Sequence, residues 1–379
     1  MKRTPWLLGL WLCGAVVLAA CAGDQADSDE IVIGEFGSLT GTTATFGIST
    51  RNGIDMAIDE VNARGGVLGR RVRVIVEDDQ GRPEEAQTVV TKLITADRVV
   101  AVLGEVASSR TLAAAPVAQQ YRIPLVTPSS TNPRVTEVGD YIFRVCFIDP
   151  FQGLVMAKFA YNSLGVRNVA VLRDIRNDYS VGLADVFVQN FTQMGGRIVA
   201  DLSYSEGDTD FSAQLTSLAA ARPEAIFIPG YYTEVGLIAR QARQLGITVP
   251  LLGGDGWDSP RLTEIGGAAL NNSYFSNHYS VEDPSPRIQK FVEDYRARFG
   301  QTPDALAALG YDAAMILFDA MERAGTTEAS AVRDALAQTT NFPGVTGTIT
   351  IDENRNAVKP AVVLQVVDGQ FRYVETIEP

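Results

Sequence analysis

The chain has 379 residues, of which 46% are hydrophobic and 20% charged, the balance of a globular protein with a large core. At roughly 100–200 residues per domain this length suggests two domains. Lys and Arg number 32 against 45 Asp and Glu, a net charge of −13 that opposes nucleic-acid binding as a main function. One histidine, His278, and three cysteines are too few ligands for most zinc sites or histidine-dependent triads.

Lys2 and Arg3 precede an apolar stretch from Trp6 to Ala20. That stretch is short for a membrane span of about 20 residues and has the flanks of an export signal. It ends in Leu18-Ala19-Ala20-Cys21, which resembles a bacterial lipobox. The resemblance implies cleavage before Cys21 and lipid on that cysteine, so residues 1–20 are expected to be a lipoprotein signal peptide. Cys13 then leaves with the signal, and Cys146 alone remains in the body, which excludes an intramolecular disulfide there. Residues 21–30 are polar, acidic and aperiodic, and are expected to form a tether.

The body alternates strands and helices. Ile31–Phe36, Val72–Glu77, Val99–Leu103 and Ile123–Thr127 are continuous apolar runs, expected as strands. Between them lie helical patterns near 51–63, 83–93 and 111–121, the first stopped by Gly65-Gly66. After Tyr141–Val145 the rhythm restarts, with strands expected at 169–172, 198–202, 225–228, 249–252 and 274–275. Helices are expected near 151–164, 181–194, 211–221 and 235–245, then at 286–299, 305–324 and 329–338. Residues 345–351 and 361–367 look like an antiparallel pair. The fold class is therefore α/β, with two doubly wound lobes.

Chemical motifs are sparse. The chain has no G-x-G-x-x-G after a strand, no phosphate-binding G-x-x-x-x-G-K-[ST] and no G-x-S-x-G. His278 has no evident nucleophile partner and is expected to be a surface or packed imidazole. Glu77-Asp78-Asp79 is expected to be a solvated turn in preference to a cation site, and the stretch from Asn354 to Lys359 a hairpin turn. No enzyme chemistry, metal or cofactor is expected.

Small polar clusters stand at the carboxyl ends of predicted strands, where open α/β sheets bind ligands. Gly104–Ser109 follows one strand and starts a helix, and Thr127–Pro133 follows the next. Their hydroxyls and free N–H groups can hold a carboxylate without a cation, although N-capping and turn chemistry use the same residues. In the second half, Gly230-Tyr231-Tyr232 and Gly253-Gly254-Asp255-Gly256-Trp257 follow strand ends. Asp255 can pair with an ammonium, and the tyrosines supply hydroxyls and ring faces. Together the clusters describe a clamp for an α-amino acid.

The chain closely resembles the leucine/isoleucine/valine-binding protein family of ABC importers. The stretches that carry the resemblance are Gly37–Gly41, Glu60–Gly69, Ser129–Pro133, Phe143-Arg144, Asp149–Gly153 and Gly230–Tyr232. It implies a type I periplasmic-binding-protein fold, two lobes joined by three crossings near Ile148, Tyr279 and Asp352. Residues 31–148 with 280–352 would form lobe 1, and 149–279 with 353–379 lobe 2.

By the same resemblance, Ser108, helped by Ser129, Ser130 and Thr131, would bind the ligand carboxylate. Asp255 would pair with the ammonium, Tyr231 would stand beside it, and Phe46 and Tyr179 would line the pocket. Asp255 is shorter than the glutamate expected there, which alters its reach, and the first-lobe disulfide of well-known members cannot form. Glu105 is expected on a solvated rim. The implied function is a monomeric substrate-binding lipoprotein clamping a branched-chain or aliphatic amino acid, with ABC permease subunits as partners and the membrane held through Cys21. A sensor for amides, urea or other small polar molecules is the alternative.

Overall fold

The structure is a computed structural model, and it describes residues 30–379. The leader, Cys21 and the tether up to residue 29 lie outside the described residues.

The first half builds β1 (Glu30–Gly37), α1 (Ala44–Ala63), β2 (Arg71–Asp78), α2 (Pro83–Thr95), β3 (Val102–Leu103), α3 (Ser108–Tyr121), β4 (Leu125–Thr127), α4 (Arg134–Glu137) and β5 (Ile142–Arg144). The strands form a parallel sheet in the order β2-β1-β3-β4-β5. Successive residues of a strand point to opposite faces, and both faces here are apolar. Leu103, Val126 and Phe143 pack on the side of α1, whereas Val102, Leu125 and Ile142 pack against α2 and α3. That double coverage is why these strands read as unbroken apolar runs.

The second half continues with α5 (Asp149–Lys158), β6 (Asn168–Asp174), α6 (Asp178–Gln193), β7 (Arg197–Tyr204), α7 (Ser212–Ala220), β8 (Ala225–Phe227), α8 (Tyr232–Gln244), β9 (Leu251–Gly253), α9 (Pro260–Gly266) and β10 (Ser273–Asn277). The chain then returns to the first lobe with α10 (Pro286–Phe299), α11 (Ala305–Ala324) and α12 (Ala329–Ala337). It closes with β11 (Phe342–Gly344), β12 (Gly347–Ile351), β13 (Ala357–Val358), β14 (Ala361–Val367) and β15 (Gln370–Ile377). The second sheet has the order β15-β14-β10-β9-β8-β6-β7, parallel from β7 to β10 and antiparallel at β14 and β15.

The expected pairing of 345–351 with 361–367 does not form. β12 pairs with β11 and β13, while β14 pairs with β10 and with β15. β15 carries Arg372 and Glu375 and is largely exposed, because as an edge strand it has little to bury. It therefore shows no apolar run from which to read it.

Helix ends follow ordinary chemistry. Ser285 caps α10 ahead of Pro286, and Gly300 and Gly325 close α10 and α11 in the left-handed conformation with φ of 70° and 65°. α11 lies unusually close to α1. A Cβ on Gly53 would stand 1.9 Å from the Ala307 carbonyl oxygen, and one on Gly310 would stand 2.4 Å from that of Thr50. Glycine on both helices lets the backbones touch, and the N-terminal turns of the same two helices carry Phe46 and Leu306.

The chain passes between the two sheets three times, after β5, after β10 and after β13. Residues 352–356 turn the chain back between β12 and β13, so the hairpin expected over Asn354–Lys359 forms and runs on through β13. Lys359, however, is buried, and its ammonium donates to Thr346 Oγ1. The Asp312 carboxylate accepts from the same hydroxyl at 2.7 Å.

Candidate functional site

Loops at the carboxyl ends of the strands converge between the lobes. From the first lobe come Phe46 on α1, Val106 and Ser108 at the start of α3, Ser129 after β4 and Leu306 at the start of α11. From the second come Tyr179 at the start of α6, Tyr231 ahead of α8, and Asp255 and Gly256 after β9. Six of the eight expected binding residues thus line one cleft. The space enclosed is only about 10 Å³, roughly one water sphere. A ligand the size of an amino acid must hold the lobes further apart than this.

Ser130 and Thr131 do not line the cleft, though both are buried. The Ser130 hydroxyl donates to the Glu105 and Val106 carbonyl oxygens at 2.9 and 3.1 Å and lies 2.7 Å from Thr111 Oγ1, so it ties the two first-lobe loops together. Thr131, in the loop after β4, touches the end of the first crossing, where its carbonyl oxygen accepts from the Asp149 N–H at 2.9 Å. The loop that carries Ser129 is held from below by Arg144. This buried guanidinium donates to the carbonyl oxygens of Ser130 and Asn132 and to Thr136 Oγ1.

Asp255 is 5% exposed. Its N–H donates to Gln152 Oε1 at 2.8 Å, and Oδ2 lies 3.0 Å from His278 Nε2 and 3.5 Å from the Ser129 hydroxyl. Oδ1 is buried and accepts no hydrogen bond. A buried carboxylate oxygen without a donor is costly, and a cationic ligand group would relieve it. The Tyr179 and Tyr231 rings stack beside it at 5.4 Å, and the Tyr179 hydroxyl accepts from the Gly256 N–H at 3.1 Å.

His278 is packed, one of its two expected states, and it touches the cleft residue Asp255 without lining the cleft itself. Its ring stacks on Phe147 at 3.8 Å, and burial depresses its pKa to about 4, so the imidazole is neutral near pH 7. Nε2–H then donates to Asp255. Sequence reasoning did not connect these two. The available signal was that His278 adjoins Tyr279, where a crossing was expected.

Glu105 is not on a solvated rim. It is fully buried, accepts from the Ser38 N–H and hydroxyl at 3.2 and 2.9 Å and from the Ala107 N–H, and stands 3.6 Å from the Arg110 guanidinium. Nor is the 77–79 turn wholly solvated. Asp79 is buried beside Ser38 and next to Glu105, and burial followed by the Glu105 charge pushes its carboxyl up. An isolated charged residue after a strand gives no sign of this shared pocket, because the partners are 41 and 67 residues away from Ser38. Arg110 also reaches across to Glu206 of the second lobe at 3.4 Å.

Other bonds join the lobes around the cleft. Phe46 meets Tyr231 and Tyr232 edge-on at 5.2 and 5.0 Å, and Thr233 Oγ1 donates to the Thr42 carbonyl oxygen at 2.8 Å. On the other flank Asn132 Nδ2 donates to the Asp178 carbonyl oxygen, and the Asp178 N–H to Ser109 Oγ, both at 2.9 Å. Behind the start of α11 lies a larger cavity of about 440 Å³, bounded by Asp258, Asn277, Tyr279, Arg296 and Asp304. Among the described residues no group of three or more His, Cys, Asp or Glu is placed to hold a metal. No helix among them is long and apolar enough to cross a membrane.

Two α/β lobes, three crossings and a cleft lined from both sides define a hinged clamp for a small ligand. The chain belongs to the periplasmic binding protein family, whose model matches residues 30–370. It is 31% identical over 341 residues to the Leu/Ile/Val-binding protein BraC3 of Rhizobium johnstonii, covering 89% of this chain and 92% of that one. Among solved structures it is similar to the leucine-binding protein LivK of Thermotoga maritima, with 44% identity, a TM-score of 0.89 and coverage of 92% and 99%. It is also similar to the branched-chain amino acid transporter substrate-binding protein LivJ of Streptococcus pneumoniae in complex with isoleucine. There the identity is 34%, the TM-score 0.88 and the coverage 92% and 100%.

Proposed function

We propose that this protein clamps a branched-chain or other aliphatic α-amino acid between its lobes and hands it to the permease of an ABC importer. The observation that carries the reading is Asp255 Oδ1, a buried carboxylate oxygen with no donor in a cleft whose aliphatic and phenyl wall is Phe46, Val106 and Leu306. In this reading Oδ1 takes the α-ammonium. Ser108, with the free N–H groups at the start of α3, takes the carboxylate, and Ser129 assists. The apolar wall receives the side chain, and the Tyr179–Tyr231 stack borders the charged end. Ser130 and Thr131 act by shaping the loop. The names of LivK and LivJ, leucine-binding and isoleucine-bound, support the ligand class.

Closure follows from differential binding. Only a ligand that touches both lobes favours the closed arrangement over the open one, so the ligand shifts the hinge equilibrium. Lipid on Cys21 would anchor the protein in the cell envelope and raise its local concentration at the permease. The body would work as a monomer.

The test is calorimetric titration of the purified protein, unfolded and refolded to strip bound ligand. The panel holds leucine, isoleucine, valine, 4-methylpentanoate, acetamide and urea. Binding of the branched-chain amino acids, and weaker binding of the acid that lacks the amine, supports the reading. Binding of acetamide or urea alone discards it.

A further inference from the structure

We propose that His278 is the positioning residue of the ammonium subsite: its Nε2–H holds Oδ2 of Asp255 so that Oδ1 is left for the ligand. The inference rests on the amino-acid reading above and assigns it a residue that does not line the cleft. Three observations meet here. The Nε2–Oδ2 distance is 3.0 Å, and both side chains are nearly inaccessible. The imidazole is held in plane by the Phe147 ring at 3.8 Å and 21°, and the His278 backbone N–H donates to Asn277 Oδ1 at 2.8 Å. Nδ1, finally, is buried and has no hydrogen-bond partner.

The last observation separates positioning from packing. A side chain needed only to fill this space against Phe147 would be apolar, because an imidazole here leaves a ring nitrogen without a donor. The cost of Nδ1 is offset only if Nε2 is needed. A neutral donor is also the right donor. Burial keeps His278 uncharged at neutral pH, with Asp255 and Lys359 the charged groups acting on it. The Asp255–His278 pair therefore retains a full negative charge for an ammonium, whereas a lysine or arginine at the same place would neutralise it.

The bond also ties the site to the hinge. His278 lies on the crossing after β10, and Phe147 on the crossing after β5. Asp255 stands in the second lobe and meets the first-lobe Ser129 across the cleft. The carboxylate is thus aimed by two of the three hinge segments.

The test uses the purified protein with leucine and with 4-methylpentanoate, which lacks only the amine. His278→Leu is expected to weaken leucine about tenfold while leaving 4-methylpentanoate within about twofold. His278→Gln, which keeps a neutral N–H donor, is expected to hold leucine within about threefold of the parent. Should His278→Leu fail to fold, the Gln variant decides: a folded His278→Gln protein that loses leucine more than about tenfold overturns the inference. Equal losses for both ligands in a folded His278→Leu protein overturn it too, as does no loss for either. If the parent binds neither leucine nor any other amino acid, the amino-acid reading itself falls and takes this inference with it.

Discussion

Asp258 and Asp304 come from opposite lobes and cap the same helix. Asp258 Oδ2 accepts from the Ala305 N–H at 2.7 Å, and Asp304 Oδ1 accepts from the Ala307 N–H at 3.0 Å, so both carboxylates sit on the first turn of α11. Leu306, between those donors, is part of the cleft wall. The N-terminus of α11 is therefore held jointly by the two lobes, with the ligand cleft on one side and the larger cavity on the other.

That arrangement has a pH signature. Burial, and then the charge of its neighbour, raises the Asp304 carboxyl, and burial raises that of Asp258. Glu35 is pushed up to about 8, chiefly by burial. A carboxyl raised in the folded state keeps a proton that the unfolded chain has already released. Its contribution is present at acid pH and is lost as pH rises from the ordinary carboxylate range through the raised value. His278, depressed from 6.5 to about 4, acts oppositely, and its contribution is lost as pH falls through that interval. With three or more acids against one histidine, Tm is expected to be higher near pH 5 than near pH 8, roughly the limits of those windows. Asp304→Asn keeps the cap and removes the charge, so it should raise Tm near pH 8 and narrow the difference. An unchanged difference in the variant, read by scanning calorimetry, counts against the repulsion.

Asp255→Ala is expected to weaken leucine binding by more than about tenfold, since a charge-assisted hydrogen bond is worth about 1.5–3 kcal/mol. Circular dichroism should show an unchanged fold. Intact affinity in a folded variant would remove Asp255 from the ammonium subsite.

Gly310→Ala places a methyl group 2.4 Å from the Thr50 carbonyl oxygen. The two helices must move apart, and overpacking of this kind costs about 1–3 kcal/mol. Chemical denaturation should show that loss even though alanine is the better helix former. Because Phe46 and Leu306 ride on these helices, leucine affinity should fall as well.

Arg144→Met removes the donors that hold the Ser130 and Asn132 carbonyl oxygens. Leaving buried acceptors unpaired costs about 1–3 kcal/mol each. The expected result is faster hydrogen exchange confined to residues 127–133 and weaker ligand binding, with the second lobe unaffected. Uniform loss of protection over both lobes would mean that Arg144 serves global stability instead.

The parallel sheets, their helices and the two-lobed class could be read directly in the chain. A strand buried on both faces must be apolar at every position, as Val102-Leu103, Leu125-Val126 and Ile142-Phe143 are. The cleft residues were legible for a related reason: strand ends in such sheets point to one edge, which puts Ser108, Ser129, Tyr231 and Asp255 in register before any contact is known. β15 escaped because an edge strand alternates weakly and carries charge.

Pairings between distant polar residues belong to the tertiary structure alone. Glu105 with Ser38, Lys359 with Thr346, Asp258 with Ala305 and His278 with Asp255 each join segments that sequence spacing does not relate. Local sequence determines backbone conformation and the apolar face of each element, because those depend on neighbours a few residues away. Whether a charged side chain is solvated or buried depends on which other loops arrive beside it. At this cleft that is decided by the packing of α11 on α1 and by the three crossings between the lobes.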